Sequence, residues 1–224
     1  MLATMNYLTK IFPDKVICAE SAVPGEANLS LNAAERAHLT NTSQHFNQQF
    51  LTSRHCAMKA LKMLNIDSYL VKNDSVGAPI FPDNIVGSIS HTDDYCGVAL
   101  ARRSNYKSIG LDIERIGKLD LKMKKIISSE EEFNCASHLL NADRTILVGL
   151  IFSSKECFYK LQHTMTRQWL GFKAVEFSVL SGNIFKIKLK QGINDTFYAG
   201  RSFLGQYLIT ETHLFTGMVF QHST

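Results

Sequence analysis

The 224-residue sequence lacks the marks of a membrane, secreted or thiolate-metal protein. Its five cysteines stand singly without a Cys-x-x-Cys spacing, which argues against a zinc site and against a disulfide framework. The longest apolar run, residues 146–152, is far shorter than the roughly 20 residues that a membrane-spanning helix requires. The N-terminus has neither a basic opening nor a long apolar segment, so it does not resemble a signal peptide. We expect a reduced, cytoplasmic globular protein without a transmembrane span.

A strong charge of one sign is also absent. The formal net charge is only +4, from 24 basic and 20 acidic residues, and no basic run carries interleaved aromatic side chains. We therefore expect no nucleic-acid partner. A mildly basic face suits an acidic protein partner or a phosphate-bearing cofactor equally well, and we expect the chain to be a monomer.

The hydrophobic pattern predicts helices followed by antiparallel strands in each half of the chain. The first three predicted strands form a small meander. Because the order of helices and strands occurs twice, we predict an α+β fold of two similar halves, residues 1–106 and 107–224. The halves should pack with pseudo-twofold symmetry around an active site at their interface. The predicted helices cover residues 30–65, 128–140 and 144–162, and the predicted strands cover 86–90, 95–102, 108–116, 174–180, 184–190 and 214–220.

The stretch IGLDIERIG, residues 109–117, places two carboxylates on one face of a predicted strand. Leu111 and Ile113 should face the core, while Asp112 and Glu114 share the opposite face about 7 Å apart. This alternation is ordinary for a half-buried strand with one face in water. The same pair also suits Mg²⁺, which takes one or two carboxylates together with substrate phosphates.

A predicted helix downstream supplies a third carboxylate. In FSSKECFYK, residues 152–160, Glu156 and Lys160 lie one turn apart on a face outside the core stripe. Alone, they are typical of a surface ion pair worth roughly 0.2–0.5 kcal/mol. The predicted core stripe consists of Leu147, Leu150, Ile151, Ser154, Phe158 and Leu161.

Three motifs, GSISH, IGLDIE and FSSKECFYK, follow one another in an order that resembles the 4'-phosphopantetheinyl transferases of the Sfp type, in particular the subgroup of enterobactin synthase component D. Asp112 and Glu156 are 44 positions apart, a spacing similar to that of the family. The resemblance extends to the helical QQFLTSRHCAMKAL and to APIFP, so it covers about a third of the chain.

The resemblance implies an enzyme that transfers the 4'-phosphopantetheine group of coenzyme A to a serine of an apo carrier protein, whether acyl, aryl or peptidyl. It implies release of 3',5'-ADP, dependence on Mg²⁺ and a place in siderophore or nonribosomal peptide biosynthesis. Such chemistry requires neutralised phosphate charge and an oriented nucleophile.

Matched residue by residue, the resemblance implies the following roles. Metal ligands are Asp112, Glu114 and Glu156, which bind Mg²⁺ together with the pyrophosphate. Coenzyme contacts are Arg54, Ser90, His91, Lys155 and Lys160. Catalytic residues are Glu156, Lys160 and Glu131, the last as the nearest match to a base. The residues themselves leave open whether a carboxylate or a metal-bound water deprotonates the serine.

The chain departs from the family pattern where the coenzyme's 3'-phosphate is expected. Gly77-Ala78-Pro79 lacks the cation that relatives carry between glycine and proline. Phe46 and Asn47 stand where relatives often have arginines, while Gln49 and Ser53 replace a glutamate and a glycine before Arg54.

Two other functions fit part of the pattern. A Mg²⁺-dependent nucleotide pyrophosphatase would use the same acids but direct water to the phosphorus. A non-catalytic module could keep the fold and bind carrier proteins without modifying them, although intact acidic residues argue against it.

Overall fold

A computed structural model describes residues 6–24, 44–67 and 69–222, with the backbone alone for residues 44–47. The predicted helical segment before Gln44 and the side chains of Phe46 and Asn47 lie outside the described residues. The elements are β1 (Ile17–Ala22), α1 (Gln44–Met63), β2 (Lys72–Asn73), β3 (Pro79–Ile80), β4 (Ile85–His91), β5 (Tyr95–Arg102), β6 (Tyr106–Arg115), α2 (Lys124–Ile127), α3 (Glu130–Leu139), α4 (Arg144–Thr166), β7 (Val175–Leu180), β8 (Ile184–Leu189), β9 (Ser202–Ile209) and β10 (His213–Gln221).

The described chain folds into two sheet-rich halves, as the α+β prediction requires. An antiparallel sheet in the order β1-β5-β4 packs against α1, and a five-stranded sheet in the order β6-β10-β9-β8-β7 packs against α4. In β8, every second side chain is apolar and buried, namely Phe185, Ile187 and Leu189. None of the helices that the structure describes combines the length and apolar composition needed to span a bilayer.

The predicted meander of the first three strands is wrong. β4 and β5 form a hairpin, but β6 leaves β5 and pairs along its length with β10. β4 and β6 still lie side by side, joined by serine hydroxyls in place of a backbone ladder. Ser88 Oγ accepts from Leu111 N at 3.1 Å, and Ser90 Oγ accepts from Ile113 N at 3.1 Å. A strand pattern predicts a strand without naming its partner, so this switch of sheets was not visible locally.

α4 is the long helix between the sheets, and local sequence explains its ends. The Asp143 side chain accepts from Thr145 N at 2.7 Å and caps the first turn. The helix ends at Arg167, whose φ of 56° is left-handed. The predicted core stripe is confirmed, since all six side chains are buried.

Gly110 allows α4 to lie directly on β6. A Cβ built at this position would be 2.0 Å from the carbonyl oxygen of Cys157, a backbone atom that cannot rotate away. The neighbouring positions on these two elements are Asp112 and Glu156. Glycine at this contact therefore determines how closely the helical carboxylate approaches the strand carboxylate.

We predict that Gly110→Ala lowers the free energy of unfolding by about 1–3 kcal/mol or more, as overpacking of a rigid contact does. Urea denaturation measures the change. Gly149→Ala is the matched control within α4, because its Cβ would meet only a Leu214 methyl carbon at 3.9 Å. Helix propensity favours alanine there by about 1 kcal/mol. Equal stability of the two variants would contradict the close approach of α4 to β6.

Candidate active site

Asp112 is the centre of a polar cluster between the two halves. Its side chain is 6% exposed, and Oδ1 accepts from Lys160 Nζ at 2.7 Å and from Ser90 Oγ at 3.1 Å. Oδ2 is buried and has no hydrogen-bond partner among the described residues. A buried carboxylate oxygen without a donor is costly. The geometry therefore leaves one oxygen of Asp112 ready for an additional ligand.

Ser90 connects the three elements that build this cluster. Its hydroxyl donates to Asp112 on β6 and accepts from Lys160 Nζ on α4 at 3.0 Å and from the Ile113 amide at 3.1 Å. One hydroxyl has one hydrogen and two lone pairs. All of them are used here, so Ser90 has a fixed orientation at the end of β4.

Lys160 is the cation of the cluster and is half-buried. Burial by itself would lower the pKa of its ammonium, but the charge and hydrogen bond of Asp112 outweigh that effect, with a further contribution from Glu156. The net result is a raised pKa for Lys160. The lysine therefore stays protonated and partly neutralises the acids around it.

Glu114 and Glu156 complete the acidic cluster. Burial and the charge of Asp112 raise the pKa of Glu114 to about 8. Burial, followed by the same charge, also raises the pKa of Glu156. The carboxylates thus repel one another despite Lys160. Within residues 6–24, 44–67 and 69–222, no group of three or more His, Cys, Asp or Glu side chains is arranged to hold a metal ion by itself.

His91 lies at the end of β4, directly after Ser90. Burial of the imidazole, followed by the positive charges of Lys160 and Arg54, lowers the pKa of His91. Arg54 itself is buried on α1, donates to Asn73 Oδ1 at 2.5 Å and lies over the Phe50 ring at 4.2 Å. The structure therefore groups most of the residues implied by the resemblance: Arg54, Ser90, His91, Asp112, Glu114, Glu156 and Lys160.

Lys155 is not part of this group. Its ammonium pairs with Glu132 Oε1 at 2.6 Å and also donates to the carbonyls of Ile127, Phe172 and Val175. The two charged side chains are only 1% and 4% exposed. Lys155 and Lys160 are five positions apart, which places them about 140° apart around a helix of 3.6 residues per turn. The coenzyme contact implied for Lys155 is therefore not supported by its placement.

Glu131, the implied base, is exposed at the start of α3. Hydrogen bonds to its own backbone N–H and to the Ser129 side chain lower the pKa of Glu131. The buried acid of this helix is Glu132, which sequence reasoning missed. Glu132 Oε2 accepts from Ser129 N at 2.7 Å, and Ser129 Oγ accepts from Glu132 N, which forms a capping box. The Ser-x-x-Glu spacing was a signal for this role.

Some of the residues that depart from the family pattern, or lie beside such a departure, make defined contacts in the structure. Ala78 N donates to Asp74 Oδ1 at 2.8 Å, and Asp74 Oδ2 pairs with Arg167 at 2.6 Å. Arg167 of the second half thus contacts the loop before Pro79, which lacks the cation that relatives carry between glycine and proline. Gln49 Nε2 donates to Thr92 O and to Asp93 Oδ1, both at 3.2 Å.

Two family models match the chain, one after the other. The 4'-phosphopantetheinyl transferase N-terminal domain matches residues 34–101, and the 4'-phosphopantetheinyl transferase superfamily matches residues 108–212. Together they cover more than half of the chain. The chain belongs to the 4'-phosphopantetheinyl transferase superfamily. It is therefore an enzyme that transfers 4'-phosphopantetheine from coenzyme A to carrier proteins.

Characterised relatives carry the same family name. The chain is 27% identical to the 4'-phosphopantetheinyl transferase Npt of Nocardia iowensis, over 86% of this chain and 90% of that protein. It is 32% identical to PptT of Mycobacterium tuberculosis, over 56% and 55% of the two chains. The identity to Svp of Streptomyces mobaraensis is 30%, over 65% of this chain and 59% of the relative. The last two matches therefore span little more than half of each relative.

We predict that Glu114 contributes a loss of stability to the metal-free transferase as the pH rises from about 4.5 to about 8. In that window the folded protein keeps a proton on Glu114 that the unfolded chain has released, because the folded pKa is about 8 against an ordinary 4.5. Unfolding is then favoured by rising pH. Glu114→Gln should flatten the slope in urea titrations with a chelator present, whereas the exposed control Glu211→Gln should keep it. An unchanged slope in Glu114→Gln would argue against the raised pKa.

We also predict that Lys155→Met lowers the free energy of unfolding by about 3–5 kcal/mol, because it leaves Glu132 buried without its partner. Lys155→Met combined with Glu132→Gln should recover part of that loss, because glutamine removes the buried charge but keeps only one of the two oxygens that accept from Ser129 N and Phe177 N. Urea denaturation provides the measurement, and Lys188→Met on the exposed face of β8 should stay within about 0.5 kcal/mol of the parent. A stable Lys155→Met protein with a raised KM for coenzyme A would instead identify Lys155 as a phosphate contact.

Proposed function

We propose that this transferase acts on an apo acyl, aryl or peptidyl carrier domain in a Mg²⁺-dependent reaction that releases 3',5'-ADP. The observation that carries the proposal is the Asp112 cluster. It combines an unpartnered buried carboxylate oxygen with two more acids of raised pKa and a protonated lysine. These groups suit a cation and a phosphate anion that arrive together.

The donor set fits Mg²⁺, a hard cation that takes oxygen ligands and keeps several from water or substrate phosphate. Asp112, Glu114 and Glu156 would hold it, with Oδ2 of Asp112 as the free donor. The ion would supply charge neutralisation on the pyrophosphate. The three carboxylates alone do not surround a metal ion. This is consistent with a site in which phosphate oxygens of the coenzyme supply the remaining ligands.

The remaining side chains support binding of the coenzyme in the same cleft. Lys160 offers its ammonium to phosphate oxygens beside Asp112, and Ser90 fixes the position of that ammonium. His91 and Arg54 lie towards the first half, where the phosphoadenosine part would bind. We therefore propose that residues 1–106 contact the phosphoadenosine, and that residues 107–224 supply the metal site and the catalytic helix.

The proposed setting is the cytoplasm, in siderophore or other nonribosomal peptide biosynthesis. The support for this setting is the resemblance to the enterobactin synthase subgroup in the three motifs. A panel of apo acyl, aryl and peptidyl carrier domains, each compared by kcat/KM, identifies the preferred partner. Preference for a fatty-acid carrier over every peptidyl and aryl carrier would refute the proposed setting.

We predict that Asp112→Asn and Glu156→Gln each reduce turnover at least about 100-fold, because each removes one charge from the site that neutralises the pyrophosphate. Both substitutions preserve side-chain shape, so both variants should remain folded, which thermal unfolding checks. Glu176→Gln on the exposed side of β7 serves as the carboxylate control. Wild-type turnover and Mg²⁺ dependence in either site variant would refute the three-carboxylate site.

Mass spectrometry of an apo carrier incubated with the protein, coenzyme A and Mg²⁺ tests the reaction itself. A carrier that gains the mass of phosphopantetheine supports the proposal. Breakdown of coenzyme A without a modified carrier would indicate a pyrophosphatase. Binding of the carrier without any change in mass would indicate a docking module, and either result would refute the proposed transfer.

A further inference from the structure

A buried imidazole joins the two halves beside the proposed site. His213, the first residue of β10, is only 7% exposed. Its Nε2 lies 2.9 Å from Asp94 Oδ1, and its Nδ1 lies 2.9 Å from Thr212 Oγ1. Thr92 Oγ1 donates to the same Asp94 oxygen at 2.9 Å. His213 thereby attaches the turn between β4 and β5 to the second half.

Other contacts of this turn lie nearer the surface. Arg115 approaches Asp94 Oδ2 at 3.4 Å with the two side chains 51% and 40% exposed, and Lys118 pairs with Asp93 at 2.8 Å. Exposed pairs of this kind contribute about 0–1 kcal/mol each. The imidazole of His213 is buried, and the Asp94 oxygen that it contacts also accepts from Thr92, so this contact fixes the position of the turn more tightly than the exposed pairs do.

Both sides of this contact lead directly to site residues. On the first half, His91 immediately precedes the turn that Asp94 belongs to. On the second half, β10 pairs with β6 in a register that sets His213 opposite Arg115 and Leu214 opposite Glu114. A shift of the turn relative to β10 would therefore move His91 relative to Glu114.

The surroundings of His213 indicate that it does not act on substrate directly. Its ring lies 5.2 Å from the Tyr95 ring and 6.1 Å from the Phe215 ring, measured between centroids. Both ring nitrogens are already engaged by side chains of the protein. A buried histidine with no free nitrogen has no remaining donor or acceptor for a coenzyme.

We propose that His213 is a positioning residue of the transferase, whose contact with Asp94 sets the spacing between His91 and Glu114 across the coenzyme cleft. The inference rests on the proposed function, in which these two residues bind the phosphoadenosine and the metal. A displacement of about 1 Å between two such binding residues is sufficient to change rates or affinities by as much as 100-fold. His213 thus links the geometry of the two halves to affinity for the coenzyme.

His213→Leu tests the proposal, because leucine retains apolar bulk and removes both hydrogen bonds. The affinity for coenzyme A is measured by calorimetry with Mg²⁺, and KM and kcat are measured with an apo carrier. We expect the Kd and KM for coenzyme A to rise about tenfold, together with the half-saturating Mg²⁺ concentration, while kcat per folded molecule changes less. His213→Gln places an amide donor near the original Nε2 position and should restore most of the affinity.

Arg115→Met is the matched control, since it removes only the exposed contact of Asp94 and should leave the Kd, KM and Mg²⁺ dependence unchanged. A purely structural role would overturn the proposal: His213→Leu would then unfold at a lower temperature with unchanged Kd, KM and Mg²⁺ half-saturation. If His213→Leu does not fold, Asp94→Ala and Asp94→Asn give the same comparison, because asparagine keeps an oxygen that can accept from His213 and alanine does not. Wild-type constants in Asp94→Ala overturn the proposal. If the wild-type protein binds coenzyme A but does not transfer the phosphopantetheine group, the proposed reaction is refuted. The proposal for His213 is still tested in that case, because calorimetry compares the affinities of the variants for coenzyme A.

Discussion

The site depends on one hydroxyl group, that of Ser90, at the place where two sheets meet without a shared ladder. This group accepts from a β6 amide and from Lys160, and it donates to Asp112. A backbone ladder between β4 and β6 would have consumed these hydrogen bonds and filled the gap. Because a side chain makes the connection instead, the halves meet here through polar side chains.

α4 lies against β6 at Gly110, where only a hydrogen atom fits between the backbones. This approach places Glu156 near Asp112, and burial first, then the charge of Asp112, raises the pKa of Glu156. The same approach brings Lys160 to 2.7 Å from Asp112. The fold thus places three acids and one lysine at a single junction, and their repulsion in the free protein favours a cation and a phosphate anion as ligands.

The two lysines of FSSKECFYK, residues 152–160, lie in two different environments on α4. Lys160 faces the acids of β6, whereas Lys155 is enclosed by Glu132 and three backbone carbonyls. The second arrangement ties α4 to the capping box of α3 and to the start of β7, where Glu132 also accepts from Phe177 N at 2.7 Å. The helix that carries Glu156 and Lys160 is therefore anchored on its opposite face by an ion pair.

The sequence by itself determined the periodic features, which depend on a few neighbouring residues. The two-residue repeat set Asp112 and Glu114 on one side of a strand, and the helical repeat set the core stripe of α4 and the spacing of Glu156 and Lys160. Tertiary structure decided which elements meet: β10 as the partner of β6, Glu132 as the partner of Lys155, and His213 beside Asp94 across 119 positions of chain. Local backbone geometry is fixed by adjacent residues, but partners distant in the chain are selected by burial and hydrogen bonding of the whole fold, which no single segment encodes.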